Sequence, residues 1–489
     1  LYYLNRNILF LNKILAKVND VEVEISSEVI LWFKTVKKIF KKFLPSLNNK
    51  IRPSERKKFV IELQKSFSDY RYQSYNQVSK TSGELKVFEF LNFNNLVLQH
   101  FEVSIKNNLN NALYGAYNTI NIDKTDEINV TPLFPMLEGQ VSALSSGKVK
   151  PKEAIDILSS LYDSDMYQLE QNSFMLYPRK KLKRFLDKNI IPDNIFNDCN
   201  VFKKLIKQKN TEILYADSVG NYRFNESLIN TSFLEKKLTS LSKIKEFSED
   251  VQKEKNKILN YYLEIFDHQN YTGRSGTMYA YEGIGSIYWH MVSKLLLATQ
   301  ELFFKAKETN EDISVIKDLG EFYYKIRSGL SSDKTPEQYG AFPYDPYSHT
   351  PYKRGAQQPG MTGQVKEEII ARMGELGVTL KNGQLIFQTA LLKISEFLRE
   401  DSVFSYVDIN QKFCNYNLKQ KQLGFTYCQV PIIYQLSKKD WSLFVSFKDQ
   451  STETILGNSL PFKISKNLFS RSGKIKEIKV CCPKSSFMF

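Results

Sequence analysis

The sequence predicts a mainly α-helical protein that ends in a small β-sheet domain, and three observations carry that class. Apolar residues recur at helical spacing from the N-terminus to about Arg399. Beyond Phe413 the period shortens and short runs rich in Val, Ile, Phe and Tyr take over. Between these two regimes lies a concentration of glycines and aromatics: 13 of the 21 glycines fall between Gly273 and Gly383. A chain of 489 residues is too long for one simple core, so two or three domains are expected. The patterns set them at 1–110, an N-terminal helical segment; 111–400, a helical body; and 401–489, a β-rich C-terminal domain.

The helical elements follow from their caps and stops. In "SSEVILWFKTVKKIFKKFL" a serine cap precedes the apolar stripe, which ends before Pro45. "SERKKFVIELQKSFSDYRYQ" and "GELKVFEFLNFNNLVLQHFEVSIKNNL" continue as helices. "KPKEAIDILSSLYDS" and "FLEKKLTSLSKIKEFSEDVQKEKNKILNYYLEIF" follow, separated by loops. "FTYCQVPIIYQL", "WSLFVSFKD" and "KIKEIKVCC" read as strands of the C-terminal sheet. No fixed-period repeat or low-complexity tract interrupts the series.

Several function classes are disfavoured at this level. "LYYLNRNILFLNKILAKV" is broken by Asn and Lys every few residues and lacks the apolar core of a signal peptide. No apolar run approaches a membrane span. The chain opens on Leu1 rather than Met and reads as a fragment. The five cysteines (Cys199, Cys414, Cys428, Cys481, Cys482) form no CxxC pair, so reduced thiols in a cytoplasmic setting are expected. The formal charge of +15 raises nucleic acid as a partner. Only Lys34–Lys58, with ten Lys/Arg against Glu55, and Arg179–Lys188, with six against Asp187, are dense. The rest is diffuse, and the aromatics do not alternate with Arg as in a stacking groove. Nucleic acid and membrane are therefore not expected partners.

The chemistry concentrates in two loops. "DHQNYTGRSGTMYAYEGIGS" spans 267–286 and "SGLSSDKTPEQYGAFPYDPYSHTPYKRGAQQPGMTGQ" spans 328–364. Tyr261–Tyr352 holds 18 aromatics in 92 residues, too many for a disordered linker. "GRSGT" lacks the GK[ST] ending of a phosphate-binding loop, and "GIGSIY" has Tyr288 where a dinucleotide fingerprint needs glycine. What remains is an anion or hydroxyl site. Gly283, Gly285 and Ser286 open a helix, and Arg274, Ser275 and Thr277 add donors. Glu282, between Tyr281 and Gly283, is a candidate proton donor or an acceptor for amides. His290 and Trp289 lie in the first turn of the helix that follows. Prolines 343, 346, 351 and 359 stiffen the second loop around Asp345, His349, Arg354 and Gln357. Tyr344 and Tyr347 offer flat faces for a polyhydroxylated ligand. Glu138 in "MLEGQ", Tyr177 and Arg179 in "NSFMLYPRKKL", and Asp217 and Arg223 around a turn are further candidates. Glu367 and Glu368 open the next helix, where acids suit the positive helix end whatever the function.

A helical body with rich loops, followed by a small β domain, resembles the (α/α)6 toroids of carbohydrate-active enzymes. Its nearest likeness is to cellobiose-phosphorylase-like glycoside phosphorylases and related bacterial proteins. The resemblance covers residues 111–489 and is architectural, since no stretch of the "GDWND" type occurs. It implies a (α/α)6-toroid-like body and an enzyme that cleaves or phosphorolyses a glycosidic bond in an aromatic-lined cavity. The residues then take roles from their own chemistry: Asp345 or Glu282 as the acid, Arg274, His349 and Arg354 on an anion or sugar, and Tyr344, Tyr347 and Trp289 stacking. Carboxylates suffice for such chemistry, so no metal or organic cofactor is expected, with inorganic phosphate as an optional co-substrate. A non-catalytic carbohydrate-binding or helical scaffold protein is the alternative that the same loops allow.

Overall fold

Amphipathic helices with small sheets between them make up the computed structural model, which describes residues 1–47, 51–76, 81–121, 126–178, 183, 185–267, 287, 289–330 and 364–489. The chain forms two compact units: Leu1–Pro178 together with Ile287–Phe489, and Arg179–Ser286.

In the first unit, α1 (Tyr2–Leu15) is tied down by polar contacts of its buried edge. Asn5 donates to Ser146 O at 2.9 Å, and Arg6 forms a two-pronged ion pair with Glu301 at 2.7 and 2.8 Å. A hairpin of β1 (Glu22–Ser26) and β2 (Ser82–Lys86) brackets α2 (Ser27–Phe43) and α3 (Pro53–Asn76). Helix α2 stops at Phe43, two residues before Pro45, as the proline requires. Residues 83–86, which the sequence reading gave to the following helix, belong to strand β2 instead. Its Leu85 is buried while Glu84 and Lys86 are exposed, a period of two. Glu22 pairs with Lys86 across the hairpin. Helix α4 (Val87–Lys106) starts directly after it. The dense basic stretch is partly neutralised here: Lys37 pairs with Glu89, Lys42 with Glu62 and Lys57 with Asp126.

Short hairpins of β3 (Leu109–Asn110) with β4 (Leu113–Tyr114) and β5 (Asn118–Asn121) with β6 (Asn129–Pro132) lead to α5 (Leu137–Leu144) and α6 (Pro151–Tyr162). A Cβ at Gly139 of α5 would sit 2.5 Å from Tyr114 O, so only glycine lets helix and strand meet. The buried Gln140 next to it satisfies both backbone groups of Tyr114. Strands β7 (Tyr167–Gln168) and β8 (Ser173–Phe174) close this part.

The second unit has its own core. It comprises α7 (Phe185–Lys188), α8 (Asp193–Asn197), α9 (Asn200–Lys207), the hairpin β9 (Leu214–Ala216) and β10 (Tyr222–Phe224), α10 (Thr231–Leu241) and α11 (Lys245–Phe266). Phe202, Leu205, Leu214, Phe224, Leu234, Leu238, Phe247, Ile258 and Tyr262 fill the interior. Helix starts are capped by design of the sequence. The Asn230 side chain accepts from the amides of Ser232 and Phe233, and Glu254 reaches from α11 to the amides of Asn200 and Val201. In the turn joining β9 and β10, Asp217 accepts from the Val219 and Asn221 amides and pairs with Arg223 at 2.7 Å. The Arg223 hydrogen bond holds the Asp217 carboxyl far below the usual range.

The first unit resumes with α12 (Trp289–Glu308), α13 (Ile313–Arg327) and α14 (Gln364–Glu375). Leu295, Leu296, Phe303 and Leu319 are fully buried here, each contributing about 1.5–3 kcal/mol. Gly377 ends α14: its φ is +77°, and a Cβ there would sit 1.4 Å from Gln388 O. Two hairpins follow, β11 (Val378–Lys381) with β12 (Gln384–Phe387) and β13 (Ser402–Val407) with β14 (Phe413–Leu418). Strands β15 (Gln422–Tyr427), β16 (Val430–Ser437), β17 (Ser442–Phe447), β18 (Thr452–Leu456) and β19 (Ile475–Pro483) form one sheet in the order β15-β16-β19-β17-β18. Its one parallel pair is β16 with β19, with β17, β18 and α15 (Phe462–Phe469) between them in the chain. Ile432, Tyr434, Leu443, Ile478 and Val480 form its core, and Tyr434 OH donates to Leu376 O at 2.7 Å. The five cysteines are free, and among the described residues no helix is long and apolar enough to cross a membrane.

Replacing Asn230 with Ala removes the acceptor for two amides at the start of α10. Chemical denaturation is expected to show a loss of about 1 kcal/mol for the transition of this unit.

Candidate functional site

Of the residues singled out from the sequence, Arg274, Ser275, Thr277, Glu282, Tyr344, Asp345, Tyr347, His349, Arg354 and Gln357 lie outside the described residues. Trp289, His290 and Glu138 are described. Trp289 is buried at the start of α12, and Glu138 is half-buried in the first turn of α5.

His290 leads to a cluster that sequence reasoning did not assemble. Its Nε2 lies 3.2 Å from Glu367 Oε1, joining the first turn of α12 to the first turn of α14. Further along the same two helices, Gln300 donates to Ala371 O at 2.7 Å. The two helices therefore run in the same direction with their starts side by side. Helix α13 runs back to meet them. Arg327 in its last turn places Nε 3.1 Å from Glu375 Oε2 and Nη1 3.8 Å from Glu368 Oε1.

Glu375 is the hub. Its side chain is 3% exposed, and it accepts from Tyr323 OH at 2.8 Å and from Arg372 Nη1 at 2.5 Å, besides pairing with Arg327. Arg372 extends the network to Glu396. Burial disfavours the charge on Arg372, but Glu396 and Glu375 outweigh it and raise its pKa. Burial, with the Glu375 charge beside it, pushes Tyr323 well above the ordinary phenol value, so it stays a hydrogen-bond donor. Burial also acts to raise Glu367. The hydrogen bond from His290, its own amide and the charges of His290 and Lys366 prevail, and its pKa is lowered.

The two glycine- and tyrosine-rich stretches attach to this cluster in sequence. Residues 268–286 precede Ile287 and α12, and residues 331–363 separate Leu330, just past α13, from Gln364 of α14. The cluster thus holds the helix ends from which both stretches extend. It also keeps unspent hydrogen-bonding capacity. Arg327 Nη1 and Glu367 Oε2 are buried, and neither has a hydrogen-bond partner among the described residues. The sequence signal for the cluster was slight: acids in the first turn of α14 and an arginine ending α13, both ordinary on solvated helices.

Comparison with known proteins bears on the second unit. Residues 182–269 match the family described as GH149 phosphorylase insertion domain 2. The matched span lies within the compact unit Arg179–Ser286. No protein of curated function matches the chain. The second unit is thus related to a domain of a glycoside phosphorylase family.

Removing the hub takes the close carboxylate from Arg327 and leaves Arg372 with Glu396 alone. Glu375→Ala is expected to cost about 3–5 kcal/mol in urea unfolding of the first unit. The lowered pKa of Glu367 has a definite sign: its stabilisation is full above the ordinary carboxyl value of 4.5 and is lost as pH falls through the lowered folded value. Stability measured on the acid side of 4.5 should fall more steeply in the native chain than in Glu367→Gln.

Proposed function

We propose that this chain belongs to an enzyme that breaks a glycosidic bond, with inorganic phosphate as the attacking reactant. The observation that carries the reading is the match of residues 182–269 to GH149 phosphorylase insertion domain 2, a match that falls within one compact unit. A loop-rich helical body followed by a β-sheet domain agrees with it. The (α/α)6-toroid arrangement of that body is part of the proposal.

The chemistry asks for two groups. An acid protonates the glycosidic oxygen as its bond to the anomeric carbon breaks. A phosphate oxygen then forms the new bond to that carbon from the opposite face, held by cationic and hydroxyl donors that stabilise its charge. Asp345 or Glu282 is the acid in this reading. Arg274, His349 and Arg354, with Ser275, Thr277 and Gln357, bind phosphate or orient the sugar. Tyr344 and Tyr347 stack on sugar faces, while Trp289, His290 and Glu138 frame the site from helix starts. In phosphorolysis the attacking phosphate is already an anion, so no base-activated water is needed, and the acid takes a new proton from solvent once the products leave. Water replaces phosphate if the enzyme hydrolyses instead.

The test is an oligosaccharide panel incubated with and without phosphate, followed for release of a glycosyl phosphate. Turnover is expected to need phosphate and to fall about 10²–10⁴-fold in whichever of Asp345→Asn and Glu282→Gln removes the acid. Unchanged turnover in both variants would contradict the assignment.

A further inference from the structure

Helix α1 turns an apolar side away from the protein. Tyr3, Leu4, Phe10, Leu11, Ile14 and Val18 are exposed, Phe10 by 60%. At helical spacing they share one stripe, about a third of the circumference, which runs through the short turn after the helix to Val18. The inner side is the more polar one. Asn5 is buried and donates to Ser146 O, while Asn12 donates to Asn95 and accepts from Asn94, both on α4. These asparagines, with Tyr2 and Ile8 buried beside them, fix the helix whatever covers its outer side. A surface helix normally buries its apolar stripe, and a contiguous exposed one marks an interaction surface.

Spacing and charge say what fits it. Leu4, Leu11 and Val18 recur every seven residues, with Asn7 and Ile14 three residues after the first two. That is the a and d pattern of a helix that packs along a second helix. Asn7 is exposed and interrupts the stripe at one d position. A facing helix can offer an asparagine a side-chain partner and take its register from it; a hydrocarbon surface offers none. Residues 1–19 carry Arg6, Lys13 and Lys17 and no acid. Arg6 is taken by Glu301, whereas Lys13 and Lys17 have no ion-pair partner among the described residues. Each follows a stripe residue by three, Phe10 and Ile14 respectively, so both border the stripe on the same side. At its other end Glu301 and Glu138 lie near Tyr3, and both are engaged within the protein. A second copy would bring the same basic border on a chain of formal charge +15.

We infer that the outer face of α1 is a docking surface for an amphipathic helix of a partner protein whose apolar stripe is bordered by acids. Leu4, Leu11, Ile14 and Val18 bury against that stripe, Asn7 sets the register, and Lys13 and Lys17 select acidic over basic borders. None of these residues takes part in the proposed glycoside chemistry.

The experiment uses two labelled three-heptad peptides on the full chain, read by fluorescence anisotropy. Both carry Leu at a and d with one Asn; the first has Glu at e and g, the second Lys. The native chain is expected to bind the acidic peptide about 10–100-fold more tightly than the basic one. Leu11→Glu should weaken the acidic peptide by a similar factor and leave the thermal midpoint unmoved, since Leu11 is exposed. Lys13→Glu combined with Lys17→Glu should reverse the preference, and gives the same reading if Leu11→Glu does not fold. Equal affinity for the two peptides, no binding of either, or binding unchanged in Leu11→Glu overturns the docking surface. Two further results also overturn it. A native dimer in sedimentation that Leu11→Glu dissolves gives the face to a second copy. Co-sedimentation of the native chain, and not of Leu11→Glu, with phosphatidylserine vesicles gives it to a lipid surface.

Discussion

One buried carboxylate organises the part of the molecule where chemistry is expected. Glu375 receives a phenol and two guanidiniums, from α13 and from its own helix α14. A charge this deeply placed is tolerable only when every lone pair is engaged, so the pairing constrains all three donors at once. Tyr323 and Arg327 sit one turn apart on α13, so the hub fixes that helix in both rotation and height. Arg372 passes the constraint to Glu396, ahead of the C-terminal sheet.

The consequence is a corner with defined geometry and spare capacity. Helices α12 and α14 start side by side, joined by His290 and Glu367, and α13 ends against them. Two long chemically rich stretches of sequence attach there. The second unit stands apart in this respect. Its core, caps and turn are self-contained, and its likeness to a phosphorylase insertion domain concerns that unit.

Much of the helical content was legible because apolar spacing and Pro45 are local signals. Two of the C-terminal strands were legible for the same reason, since "WSLFVSFKD" and "KIKEIKVCC" alternate within one element and became β17 and β19, whereas "FTYCQVPIIYQL" turns at Cys428–Gln429 and holds parts of β15 and β16. Strand β2 escaped because Lys86 passes straight into α4 with no glycine or proline between, and its partner residues lie 56 to 64 positions upstream. The compact unit around 179–286 left no boundary in the periodicity, because its helices repeat the pattern of their neighbours. The cluster escaped for a deeper reason. Glu367, Glu368, Arg372 and Glu375 spell a solvated, salt-bridged helix face when read alone. Only packing against α12 and α13 shows that this face is inside.

The claim that Glu375 holds α13 against α14 is tested most directly by backbone hydrogen exchange in Glu375→Ala beside the native chain. Faster exchange through Tyr323–Arg327 is expected, since both side chains lose their buried partner. Exchange in that segment equal to the native chain would contradict it.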